Sequence, residues 1–108
     1  MTYSEKLKTF GQRLASIGGK VYHYWRPSMQ APYTVWQEDG APALQAENDV
    51  AELGLSGTVD YFTREEYDPM VDRIMDTFRQ LPIFWELESV QYEEDTKLIH
   101  YEWRFRWL

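Results

Sequence analysis

The last twelve residues restrict the fold more than any other stretch. From Lys97 to Leu108, Ile99, Tyr101, Trp103, Phe105 and Trp107 alternate with His100, Glu102, Arg104 and Arg106. Successive side chains of a strand point to opposite faces, so this pattern predicts a half-buried antiparallel strand with one wet face. It predicts a sheet covered on one side and open on the other, with the strand running to the final residue.

Two amphipathic stripes supply the cover. Tyr3, Leu7, Phe10, Leu14 and Ile17 recur at helical spacing and predict a first helix, capped by Thr2 or Ser4 and stopped by Gly18-Gly19. Gly11 weakens its middle, so packing must hold it. Val71, Ile74, Met75, Phe78 and Leu81 form the second stripe, ended by Pro82. Asp68-Pro69 offers its start, an Asp cap before Pro at the first helical position, and Thr63-Arg64-Glu65-Glu66 has capping-box spacing.

The remaining β signals fall at residues 20–26, 33–38, 55–62 and 83–93. Gly57 and the Glu88-Ser89 step read as bulges, the latter because Trp85 and Leu87 share one parity and Val90 and Tyr92 the other. Residues 40–54 read as an acidic loop that can be mobile. The order is α-β-β-β-α-β-β in a single domain, residues 1–108. The fold class is α+β, an antiparallel sheet of about five strands with two helices on one face.

Charge and composition narrow the function. The net charge is −7, with +4 over residues 1–36, −8 over 37–68 and −3 over 69–108. No bulk basic footprint exists for sequence-specific nucleic-acid binding. No apolar run approaches the roughly 20 residues of a membrane span, and the N-terminus lacks a signal peptide's apolar core. There is no cysteine, which excludes disulfides, thiolate metal sites and thiol catalysis. Five Trp, eight Tyr and five Phe are more than one small core buries, so some should face a partner.

Residues capable of chemistry do not combine into a reaction. His23 and His100, with Glu102 as a third donor, match no closed zinc spacing, so no metal or cofactor is assigned. The acid pairs Glu38-Asp39, Glu65-Glu66 and Glu93-Glu94-Asp95 fall in turns where water keeps them ionised. Ser28, Ser56 and Ser89 have no neighbouring base, and Gly18-Gly19 lacks a phosphate-loop context. No catalytic residue is expected. The candidate interaction surface is Tyr24, Trp36, Asp39, Tyr61, His100, Arg104 and Arg106.

Three stretches carry a resemblance: Val21-Tyr22-His23-Tyr24-Trp25 leading to Ala31-Pro32-Tyr33-Thr34-Val35-Trp36-Gln37-Glu38; Val59-Asp60-Tyr61-Phe62-Thr63 before the second helix; and the closing hairpin from Val90 to Phe105. Their order resembles small tail-terminator and tail-completion (head–tail joining) proteins of long-tailed bacteriophages and prophages. The resemblance implies a non-enzymatic ring subunit, a homo-oligomer and usually a hexamer. Its partners would be tail-tube and head-connector proteins. It would reside in the virion, and in the host cytoplasm during assembly. The alternative is a small bacterial α+β module that binds a ligand or peptide in a pocket lined by Tyr24, Trp36 and Tyr61.

Overall fold

The computed structural model describes residues 1–27, 30–46 and 49–108. Helix α1 (Tyr3–Ala15) begins where the Thr2 side chain accepts from the Glu5 amide and the Glu5 carboxylate accepts from the Thr2 amide. This reciprocal cap satisfies two donors that a helix start otherwise leaves unpaired. Helix α2 (Pro69–Arg79) starts at Asp68, whose Oδ1 accepts from the Met70 amide at 2.9 Å. The capping-box spacing at Thr63 does not start a helix. Thr63 Oγ1 accepts from the Glu65 amide in a short turn, and Pro69 sets the helix start instead.

The main sheet contains β1 (Val21–His23), β2 (Tyr33–Gly40), β5 (Leu55–Thr63), β6 (Phe84–Glu93) and β7 (Leu98–Trp107). Its spatial order is β1-β2-β5-β7-β6. The architecture is α+β and mostly antiparallel. One edge differs from the all-antiparallel expectation, because β1 runs parallel to β2. The chain leaves β1 at Tyr24, whose φ is 75°, and β2 starts at Tyr33 in the same direction, so the two strands do not form a hairpin. The first strand is therefore shorter than the span from Lys20 to Arg26 expected of it.

Pairing of Val59 with both Trp36 and Trp103 places these three residues on one face. Phe10, Leu14, Ile74 and Phe78 of the helices join them in the core, with Leu55, Tyr61, Phe105 and Trp107. Phe10 stacks on Phe105 at 4.0 Å between ring centroids, and Phe78 meets Trp103 edge-on at 5.9 Å. These arrangements favour aromatic quadrupoles beyond their simple area burial. Both helices thus cover one face, as the two stripes require.

Of the two expected bulges, the one at Glu88-Ser89 is present and the one at Gly57 is not. The β6–β7 register shifts between Leu87 and Ser89, which brings Val90 and Tyr92 onto the face already carrying Trp85 and Leu87. The irregularity near Gly57 lies on the opposing strand, between Glu38 and Gly40. Gly57 is required for another reason: a Cβ there would stand 2.1 Å from the Gln37 carbonyl oxygen.

The 40–54 segment is not the expected loop. Strands β3 (Ala43–Ala46) and β4 (Asp49–Leu53) pair as a two-stranded antiparallel sheet; residues 47 and 48, also part of that segment, lie outside the described residues. Two long-range features hold it, and neither leaves a periodic signature. The Gly54 amide donates to the Pro42 carbonyl at 2.7 Å. Buried Lys6 reaches from α1 to Glu52 Oε1 at 2.7 Å and to the Leu53 carbonyl at 3.0 Å.

Candidate interaction surface and polar clusters

The face of the sheet turned away from the helices is built by the even residues of β7 and their partners. Register pairing brings His100 opposite Phe62, Glu102 opposite Asp60, Arg104 opposite Thr58 and Arg106 opposite Ser56. At one end, Tyr33 stacks on Phe62 at 4.8 Å, and the Arg26 guanidinium lies over the Tyr33 ring at 5.0 Å. Arg26 therefore shelters this corner, and Tyr33 is buried. At the other end the face is open.

Four of the expected surface residues lie on this side: Asp39, His100, Arg104 and Arg106. The Arg104 guanidinium pairs with Asp39 Oδ2 at 3.0 Å and with Glu88 Oε2 at 3.6 Å. His100 Nε2 is 2.7 Å from Asp60 Oδ1, and its ring stacks on Phe62 at 4.1 Å. The hydrogen bond that His100 donates to Asp60 favours the imidazolium form, raising the His100 pKa against the opposing effect of burial. Arg106 is exposed beside Phe84 and Glu86 in a small depression.

The other expected residues are placed differently. Tyr61 is buried on the helix side, and its hydroxyl donates to Asp68 Oδ2 at 2.5 Å. It contributes to the core and to the α2 cap, so it is unavailable as surface. Burial and the Asp68 bond both push its pKa well above the tyrosine range. Trp36 is also buried; its register face points at α1, beneath Gly11. The expectation of a pocket shared by Tyr24, Trp36 and Tyr61 fails because alternation sends Trp36 and Tyr61 into the packed face.

A groove of about 470 Å³ does run between α1 and β1, lined by Leu7, Gly11, Ala15, Val21, His23 and Trp36 among others. At its edge His23 stacks between Tyr24 (3.7 Å) and Trp36 (3.9 Å). Its Nε2 lies 2.8 Å from Glu38 Oε1, and the Tyr24 hydroxyl donates to Glu38 Oε2. Burial raises the Glu38 pKa, but the bonds from Tyr24 and His23 together outweigh it and leave the carboxyl below its ordinary value.

Sequence reading missed an exposed apolar strand. Strand β6 is an edge of the sheet. Phe84 and Tyr92 are 69% and 59% exposed, and Leu87 and Val90 are exposed as well. The signal was present in the impure parity that also predicted the bulge. It was read as geometry alone, whereas the last strand of a sheet has a neighbour on one side only. Ser28 lies outside the described residues.

No helix is long and apolar enough to cross a membrane. Comparison with protein-family models gives no match, and comparison with curated proteins gives no significant one.

Proposed function

We propose that this chain is a non-enzymatic structural subunit that assembles with copies of itself. The assembly resembles the ring of a phage tail terminator or head–tail joining protein. The observation that carries this reading is β6: a ten-residue edge strand with Phe84, Leu87, Val90 and Tyr92 in water. An unpaired edge bearing apolar side chains is a site for association unless it is blunted or covered.

The opposite edge of the sheet complements it. There Tyr24 and Trp25 are exposed, within the segment 1–36 that carries +4. Residues 84–97 carry five acids against Lys97. Opposite edges of opposite charge favour head-to-tail contact, and a head-to-tail contact that closes makes a ring. The partners in this reading are the chain itself, tail-tube protein and head connector; the setting is the virion, preceded by the host cytoplasm.

Native mass spectrometry of the pure protein, alone and with tail-tube protein, tests the reading. A ring species is expected, and Val90→Lys combined with Tyr92→Lys should abolish it without lowering the melting temperature. A wild-type chain that stays monomeric in both conditions refutes self-assembly. The groove beside α1 favours a second reading, a small-ligand module, because its volume is within the usual pocket range. Ligand-induced chemical shifts confined to Leu7, Gly11 and Val21 would select that reading over the first.

A further inference from the structure

We propose that Asp60, His100 and Glu102 form a binding site for one divalent transition-metal ion, with zinc, cobalt and manganese as the fitting chemistry. One ligand atom from each residue lies within 4.8 Å of the others. All three residues are half-buried on the face away from the helices. They stand on the adjacent strands β5 and β7, which are interior to the sheet and paired over their whole length. A site on such strands is positioned by the backbone ladder and not by a loop.

Charge is the first argument. Asp60 and Glu102 are directly opposite each other in the β5–β7 register. Like charges in that position repel and destabilise the pair. Arg104 is committed to Asp39 and Glu88. Among the described residues, no hydrogen bond or ion pair holds the Glu102 carboxylate. Among the described residues, His100 hydrogen-bonds to Asp60 and not to Glu102. Once the imidazole gives up its proton to ligate, the two carboxylates carry a charge of −2, which a divalent cation neutralises.

Donor chemistry is the second argument. An imidazole nitrogen with two carboxylate oxygens suits zinc and its first-row neighbours better than magnesium or calcium, which prefer oxygen alone. Metal–ligand bonds of roughly 2.0–2.2 Å place tetrahedral donors about 3.4 Å apart. The present spacing therefore closes by side-chain rotation without moving the strands. The Phe62 ring stacked on His100 at 4.1 Å already limits the orientation of the imidazole. On binding, the proton shared by His100 Nε2 and Asp60 is released and the ion takes its place. Water completes the coordination. The histidine pair suggested by sequence is not used: His23 pairs with Trp36 in register and so faces the helices, and Asp60 supplies the third donor instead.

The test uses untagged, full-length protein stripped with chelator. Titration with ZnCl2 by calorimetry at pH 7.5 should show one ion per chain. CoCl2 should give a visible d–d absorption that saturates at the same stoichiometry, and a hundredfold excess of MgCl2 should not displace it. His100→Ala and Glu102→Gln should each weaken zinc binding at least tenfold. His23→Ala removes the other imidazole that lies beside a carboxylate and should leave binding unchanged. Glu102→Gln breaks no hydrogen bond among the described residues, so it reports on the site even if His100→Ala fails to fold. Absence of saturable uptake overturns the assignment. So does uptake that persists in Glu102→Gln or disappears in His23→Ala.

Discussion

Gly11→Ala gives the most discriminating test of how α1 meets the sheet. In an open helix the substitution stabilises by about 1 kcal/mol, because glycine is the poorer helix former. Here the added Cβ would stand 2.8 Å from Trp36 Cζ2 and 3.5 Å from Cη2. Relaxed carbon contacts need about 3.5–4.0 Å, so either the ring or the helix must retreat by several tenths of an ångström. The ring is not free to do so. It is 4% exposed, stacked on His23 at 3.9 Å and met edge-on by Phe10 at 5.3 Å. Overpacking of this kind costs about 1–3 kcal/mol. The net expectation is a loss of about 1 kcal/mol, or roughly 4–8 °C in melting temperature for a chain of this size. Urea unfolding at pH 7 measures it. In a Trp36→Phe background, which removes the two closest ring atoms, the same substitution should become stabilising. The sign change in that double-mutant cycle isolates the contact. If Gly11→Ala stabilises the wild-type background, the close packing of α1 on Trp36 is wrong.

Three further outcomes follow from particular contacts. Glu52→Ala leaves the buried Lys6 side chain with the Leu53 carbonyl alone among the described residues and should lower the urea midpoint, by less than loss of a buried partner would because Glu52 is itself half in water. Lys6→Met should be close to neutral; equal losses for the two in urea melts would exclude the buried-charge explanation. Burial raises the Asp68 pKa, but bonds from Tyr61, the Met70 amide and Thr63 together outweigh it and depress the carboxyl below its ordinary value. Its contribution is therefore complete above the unfolded carboxylate pKa and is lost as pH falls through the lower folded one. Tyr61→Phe should cost about 1.5–3 kcal/mol at pH 7 and flatten the stability curve between pH 5 and 2. A variant whose curve is merely shifted down in parallel would show that the Tyr61 bond does not set the Asp68 pKa. Gly57→Ala, with its Cβ driven against the Gln37 carbonyl, should prevent soluble expression or cost more than any other glycine substitution in the chain. Thermal melts of the glycine series decide this.

What was legible in the sequence was what repeats. Phe10, Leu14, Ile74 and Phe78 sit where two 3.6-residue stripes place them, and Trp103, Phe105 and Trp107 sit where a two-residue alternation does. The Glu88 bulge was legible too, because a parity break has only one cheap geometric solution. Long-range relations were not. The β3–β4 pair depends on Lys6, some 46 residues away from Glu52, and its own strands are too short to show a period. The parallel sense of β1 depends on how the chain returns after Tyr24. For the surface, the two-residue alternation of the last strand put His100, Arg104 and Arg106 on the open side, where the register has them. Trp36 and Tyr61 were misplaced because an aromatic on a strand shows its face only once the register is known.

The bulge in β6 has a further consequence. A regular edge of ten residues would accept an incoming strand along its whole length, and the added strand would present the same edge again. With Glu88 out of register, the rim divides into Phe84–Leu87 and Ser89–Glu93. A visiting backbone can hydrogen-bond continuously to only one of these stretches before it must kink in step. Each stretch fixes a short, saturable contact and does not act as a template that copies itself. The same irregularity that brings Val90 and Tyr92 to the side of Trp85 and Leu87 thereby favours a countable number of neighbours over an open-ended fibre.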